Sequence, residues 1–278
     1  MQGETCAFKC DSFKKCDGLP PRPPSNLPPP GNEHLSITLG NIVGNGRIGT
    51  VTSLTHNIEL PPLVAKISRC KRSASLEQEA WFYEELEQVQ GIAVPRCYGL
   101  FQTHIQEGTE VRTWKEDMDD DESDSEFDGP IVCEGFSPPK PGEPIVTPGA
   151  VLTRPVLPVP DPTLLSILVL ERMGDKMPIE QPLDDIKPDV YEIYDDLGLL
   201  SIEHMDIRWR NILKVLPGQE LFSSVCPNHG HVHQWRAVDF DLARKTNSSR
   251  AYMEKFSNGW LRRLFDKLPE GIIAEPWQ

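Results

Sequence analysis

Positive charge is in deficit in this chain. Its 28 lysines and arginines stand against 42 aspartates and glutamates, a formal net charge of -14. That balance argues against a general binder of nucleic acid or anionic membrane, because neither polyanion gains from such a surface. The chain also lacks an apolar run of membrane-spanning length. Met1-Gln2-Gly3-Glu4-Thr5 shows neither the basic start nor the apolar stretch of a secretory signal. The expectation is a soluble protein of the cytoplasm or nucleus. Cysteines number seven, an odd count that suits reduced thiols better than a disulfide framework. No internal repeat is evident.

What is present suffices for one sizeable core or two small lobes: 278 residues, 38% hydrophobic and 25% charged. Residues 1–34 carry Cys6, Cys10 and Cys16, then Pro20-Pro21-Arg22-Pro23-Pro24 and Pro28-Pro29-Pro30. Fixed φ and missing donors suit polyproline II there, so the segment reads as a flexible leader. From Leu35, the apolar Ile37, Leu39 and Ile42-Val43 run into a cluster of glycines, which predicts strand, turn, strand. Over Ser73–Gln90, Leu76, Ala80, Tyr83, Leu86 and Val89 recur at helical spacing, with Ser75 and Gln78 in capping-box positions and Gly91 as a stop. Strands are expected around Val94–Thr103 and at Leu164–Leu170. Between them, the acidic run Glu116–Asp128 and a proline-rich stretch to Pro162 predict an inserted, mobile loop over roughly 105–162. A second helix is expected across Pro188–Leu197, ended by Gly198. Past Asp241, the apolar residues from Tyr252 to Leu268 fit one amphipathic helix or two short ones.

Four motifs follow one another in a chemically meaningful order. Gly44-Asn45-Gly46-Arg47-Ile48-Gly49-Thr50-Val51 is a glycine-rich turn between predicted strands. Absent side chains there let backbone N–H groups fold over phosphates. Leu63-Val64-Ala65-Lys66-Ile67 then sets one lysine inside an apolar strand. Such a lysine either snorkels to water or binds phosphate, held by a helix carboxylate. Glu79 is the best placed of the helix glutamates, with Glu77 and Glu84 as competitors. His204-Met205-Asp206-Ile207-Arg208-Trp209-Arg210-Asn211 reads H-x-D-x-x-x-x-N. In that pattern an aspartate takes the proton of an incoming hydroxyl while an amide turns back toward a metal ion on the phosphates. Finally Ala237-Val238-Asp239-Phe240-Asp241 places a carboxylate after a short apolar strand. Each motif alone is weak, but chance seldom supplies the ordered set.

Together these residues resemble the protein kinase-like superfamily over about 36–245, in wording close to divergent kinase-like proteins frequent in fungi. The resemblance implies an α+β fold of two lobes: a small antiparallel sheet with one helix (35–174), and a reduced, mainly helical lobe (175–278). ATP and Mg²⁺ would lie in the cleft. Gly44, Gly46, Gly49, Val51 and Val64 would enclose the nucleotide, and backbone groups of Glu171 and Met173 would read the adenine edge, with Leu170 behind. Lys66 and Glu79 would position phosphates. Asp206 would act as base, Arg208 would steady the transferred group, and Asn211 and Asp239 would hold metal. A serine/threonine kinase is the simplest activity implied. A pseudokinase scaffold and a small-molecule kinase of the aminoglycoside or choline type are the alternatives, so the phosphoacceptor is a protein or a small molecule.

The sequence departs from that family in four places. Val64 stands where a smaller residue usually lies beneath adenine. Arg208 replaces a lysine. Asp241 replaces the glycine of D-F-G, adding a carboxylate and removing backbone freedom. No A-P-E element follows, which implies a short second lobe, either complete in itself or completed by a protein partner. The interval from Asn211 to Asp239 is also opened by Pro217–Gln234. It contains Cys226-Pro227-Asn228-His229-Gly230-His231-Val232-His233, four residues of zinc-ligating type in eight. His231 and His233 would point the same way from a strand, but a tidy second pair is not visible, which weighs against a metal centre.

Overall fold

The computed structural model describes residues 36–45, 48–56, 61–68, 72–105, 152–153, 163–178, 183–219 and 223–267. The leader, the acidic run, Gly46 and Leu268 lie outside these residues. The described part is a mixed α and β structure with a five-stranded antiparallel sheet and three helices.

The sheet comprises β1 (Ile37–Asn45), β2 (Gly49–His56), β3 (Leu63–Ser68), β4 (Cys97–His104) and β6 (Leu164–Glu171), in the order β1-β2-β3-β6-β4. Its middle strands are the two densest apolar runs, LVAKIS and LLSILVLE. Residues of β3 alternate between faces, as a pleated strand requires. Val64 joins the main apolar cluster with α1 (Ser73–Glu85), while Leu63, Ala65 and Ile67 form a smaller cluster with Leu54 and Val169 on the other face. Lys66 therefore shares the face of Val64, and sits between Val51 of β2 and Leu168 of β6 in the strand register. Gly49 is needed for this pairing: a Cβ there would meet the Ile67 carbonyl oxygen at 1.8 Å.

Helix α1 buries Leu76, Ala80 and Tyr83 beneath the sheet. It is shorter than its spacing predicts. The helix ends at Glu85, and a 3-10 turn over Glu87–Val89 leads into Gly91 at φ 71°. The expected capping box does not form. Arg72 occupies the N-cap without a side-chain cap bond, Ser75 lies inside the helix, and Gln78 donates to the Asp241 carbonyl at 2.6 Å. A tertiary acceptor has won over the local one.

Helix α2 (Lys187–Leu199) carries Pro188 in its first turn, where the fixed φ of proline is suited. It runs past Gly198 to Leu199, one residue beyond the expected stop, and buries Val190, Ile193, Tyr194 and Leu197. The apolar residues after Tyr252 form one helix rather than two, α3 (Arg250–Lys267), and Phe265 stacks on Tyr191 of α2 at 5.9 Å. Leu76, Ile193 and Leu264 belong to one apolar cluster, so the sheet and the helices share a core.

Three short strand pairings lie outside the main sheet. β5 (Leu152–Thr153) and β7 (Ile202–Glu203) flank β10 (Arg244–Thr246). Within the expected loop 105–162, residues Leu152 and Thr153 are therefore paired as strand. β8 (Ile212–Lys214) pairs with β9 (Trp235–Ala237), so the hairpin begins directly after Asn211 and ends two residues before Asp239. No described helix is long and apolar enough to cross a membrane.

Candidate active site

Lys66 is the centre of the polar residues beneath the sheet. Its Nζ lies 2.6 Å from Glu79 Oε2 and 2.6 Å from Asp239 Oδ1. Glu79, rather than Glu77 or Glu84, meets the lysine because the helix turns its side chain inward to 1% exposure. Glu77 instead accepts from Gln102. Burial opposes the Lys66 charge, but the Asp239 and Glu79 carboxylates outweigh it and hold the ammonium above the ordinary lysine range. Burial pushes the Glu79 carboxyl up, against the pull of Lys66.

Asp239 is about one third exposed and has φ 70°, left-handed backbone that a non-glycine residue adopts only under constraint. The constraint comes from its neighbours. His204 Nε2 bonds the Val238 carbonyl at 2.9 Å, and Val238 N–H donates to Asn211 O at 3.0 Å. The segment carrying Asp239 is thus tied to the segment carrying Asp206. Past it, the Gln78 bond fixes the carbonyl of buried Asp241.

Asp206 is buried and held on both sides. Asn211 Nδ2 donates to its Oδ2 at 2.8 Å and to its carbonyl at 3.0 Å. Arg208 forms an ion pair with the other carboxylate oxygen. Burial raises the Asp206 pKa, and the Asp239 charge adds to the effect, while His204 and Asn211 oppose it. Arg208 is thus placed on Asp206 itself. Asn211 uses its amide N–H on Asp206, which leaves its side-chain oxygen as the atom able to meet a cation.

His204 accepts the Asp206 N–H on Nδ1 at 3.3 Å, so Nε2 carries the proton donated to Val238. Burial keeps its pKa below the ordinary 6.5. The sign follows from linkage: stability due to neutral His204 is complete above the ordinary value and is lost as pH falls below it toward the folded-state value. Unfolding free energy should therefore drop between about pH 7.5 and 5.5 by an increment that His204→Gln lacks. Equal losses in urea melts of the two chains would refute this.

The remaining described candidates lie on β1, β2, β3 and β6 or just past β6. Val51 is half-buried opposite Lys66 on β2, while Val64, Leu170 and Met173 are buried. Gly44 and Gly49 sit at the two ends of the β1–β2 turn, and Gly46 lies outside the described residues. The Glu171 N–H donates to the Arg96 carbonyl at 2.8 Å, and its carboxylate accepts from Arg96 N at 3.1 Å. Sequence reading missed Gln78, whose role is visible only once α1 meets Asp241.

Neither a protein-family model nor a curated protein matches the chain. Among solved structures, a crystal structure of a kinase domain aligns with 74% of this chain and 51% of its own, at 14% identity and a TM-score of 0.41. The chain spans about half the length of that structure.

Proposed function

We propose that the chain is an ATP- and Mg²⁺-dependent phosphotransferase of protein kinase-like architecture, whose simplest acceptor is a serine or threonine hydroxyl. The observation that carries this reading is the single ammonium of Lys66 set 2.6 Å from both Glu79 and Asp239. A strand lysine so placed presents fixed positive charge to phosphates, while a carboxylate pins it from behind. The hard oxygens of Asp239 and Asn211 suit Mg²⁺ rather than a soft metal. When bound, that ion would neutralise charge on the transferring phosphoryl group. Asp206, oriented by Asn211 and Arg208, would take the hydroxyl proton.

A specific observation supports a second reading, a nucleotide-binding or nucleotide-free pseudokinase scaffold. The carboxylates of Asp206 and Asp239 are both engaged by cations of the chain, and the Asp241 carbonyl is pinned where a mobile glycine is usual. Calorimetric titration of the purified chain with ATP, with and without Mg²⁺, tests the first reading. Metal-dependent binding, lost in Asp239→Ala, is the expected result. No binding at millimolar ATP would reject the nucleotide site and leave the scaffold.

A further inference from the structure

The interval between Asn211 and Asp239 does not run free. It folds back on α2, and the two meet in a buried cluster of Asp196, Cys226, His229 and His233. One ligand-type atom from each residue lies within 4.8 Å of every other. The fourth ligand type, which the sequence did not reveal, is Asp196, 30 residues upstream of Cys226 on the helix.

Three separations are close to those of a tetrahedral site. Zinc with bonds of about 2.0–2.3 Å to nitrogen, oxygen and sulfur requires ligand atoms about 3.3–3.6 Å apart. Here Cys226 Sγ is 3.2 Å from Asp196 Oδ2 and 3.3 Å from His229 Nδ1. His233 Nε2 is 3.5 Å from Asp196 Oδ2, and His229 Nδ1 is 3.6 Å from Asp196 Oδ1.

A second observation concerns burial and hydrogen bonding. His233 has 0% side-chain exposure, yet its Nε2 makes no hydrogen bond and points into the cluster. A buried ring nitrogen without a hydrogen bond is costly, and a metal would satisfy it. Its other nitrogen, Nδ1, lies 2.6 Å from Asp189, seven residues before Asp196 on α2. Asp189 is fixed in turn by the N–H groups of Gln234 and Trp235 at 2.8 and 3.1 Å. A carboxylate on the far nitrogen of an imidazole orients that ring toward a metal. The other oxygen of Asp196 is likewise held, by Asn228 at 2.8 Å.

The backbone is shaped for the same end. Cys226 N–H donates to His231 O, and Gly230 N–H donates to Cys226 O, both at 2.8 Å. This closes a turn that brings Cys226 and His229 to one point. Gly230 supplies φ 76°, so the segment is a turn rather than the expected strand, and the His231 and His233 rings meet edge-on with centroids 4.9 Å apart. His231, 47% exposed, lies 3.0 Å from Glu192 instead.

We propose that Asp196, Cys226, His229 and His233 bind one structural zinc ion, with Asp189 as the positioning residue behind His233. Binding displaces the thiol proton of Cys226. The ion would staple the 215–234 excursion to α2 and so fix the β8–β9 hairpin that runs from Asn211 to Asp239. The site is separate from the nucleotide reading and stands whether or not that reading holds.

The test is metal binding by the full chain, followed with cobalt as a spectroscopic stand-in and by competition with zinc. One equivalent of cobalt should give a thiolate charge-transfer band and strong tetrahedral absorption, both abolished by zinc. Cys226→Ser should remove the band. His229→Gln, at the rim of the site, should weaken metal binding while circular dichroism stays unchanged. Asp189→Asn should weaken it about 10–100-fold, and His231→Ala should leave it within about threefold of the parent chain. Absence of a one-to-one cobalt spectrum in the parent chain would overturn the proposal without reference to any variant. Binding lost in His231→Ala but kept in Cys226→Ser would overturn it in favour of the neighbouring group formed by Asp189, Glu192, His231 and His233.

Discussion

Asp206→Asn should lower phosphoryl transfer by about 10²–10⁴-fold, the usual contribution of a positioned general base. Mg²⁺-dependent ATP binding should change little, because Asp206 bonds Asn211 and pairs with Arg208 rather than with Lys66. The substitution is close to isosteric, and the Asn211 amide still finds the carbonyl of residue 206, the second of its two bonds. What disappears is a proton acceptor and the negative partner of Arg208. Uncatalysed reorientation of the acceptor hydroxyl would remain, so a residual rate is expected rather than none. Initial rates of phosphate transfer, read beside calorimetric ATP affinity, check this. A rate within about threefold of the parent chain would remove Asp206 from the chemistry, since general-base loss costs far more. If ATP affinity collapsed together with the rate, Asp206 would belong to binding instead.

How far the sequence reveals this site depends on whether a residue's partner is local or distant. The strands β3 and β6 are legible because a buried strand is a short apolar run, and Lys66 is conspicuous as the one charge inside such a run. Glu79 follows from helical phase, since it lies one position before Ala80 and three after Leu76 on the buried side. The end of α1 is not legible: Leu86 and Val89 keep the period, yet the chain tightens into a 3-10 turn there to reach Gly91. Gln78 looks like a capping residue until Asp241, 163 positions on, offers its carbonyl. The same limit hid Asp196. Cys226, His229 and His233 give a Cys-x2-His-x3-His spacing, but the fourth ligand type lies on a helix whose charged face reads as solvated. Asp189 and Asp196 are seven apart, two helical turns, which is the signal that pairs them on one face. The pairing of Leu152–Thr153 with β10 had no signal, since two residues are too few to show a period.

Lys66→Met should destabilise the chain by about 3–5 kcal/mol, the usual cost of leaving one member of a buried ion pair alone. The lysine side chain is 11% exposed and Glu79 only 1%, so water cannot take the place of the ammonium at Glu79. Asp239, about one third exposed, can turn outward, which makes Glu79 the seat of the penalty. Two further measurements separate this account from simple loss of packing. First, Lys66→Met with Glu79→Gln should recover about 2 kcal/mol of the loss, a coupling of the size contacting residues show in double-mutant cycles. Second, the deficit should shrink in acid. Burial already pushes the Glu79 carboxyl up to about 7 with its cation in place, and removal of the cation pushes it further. A carboxyl raised in the folded state adds stability that is complete below its unfolded value and is lost as pH rises through its folded value. Urea melts at about pH 5 and pH 8 should therefore show a smaller deficit at the lower pH in Lys66→Met and no such trend in the double variant. Additive losses with no pH trend would mean that Glu79 is carried neutral and that Lys66 is held by Asp239 alone. Both variants should lose ATP affinity alike, because the phosphates face the lysine and not the glutamate. Stability restored without restored binding would thus separate the role of Lys66 in the nucleotide site from its role in balancing a buried charge.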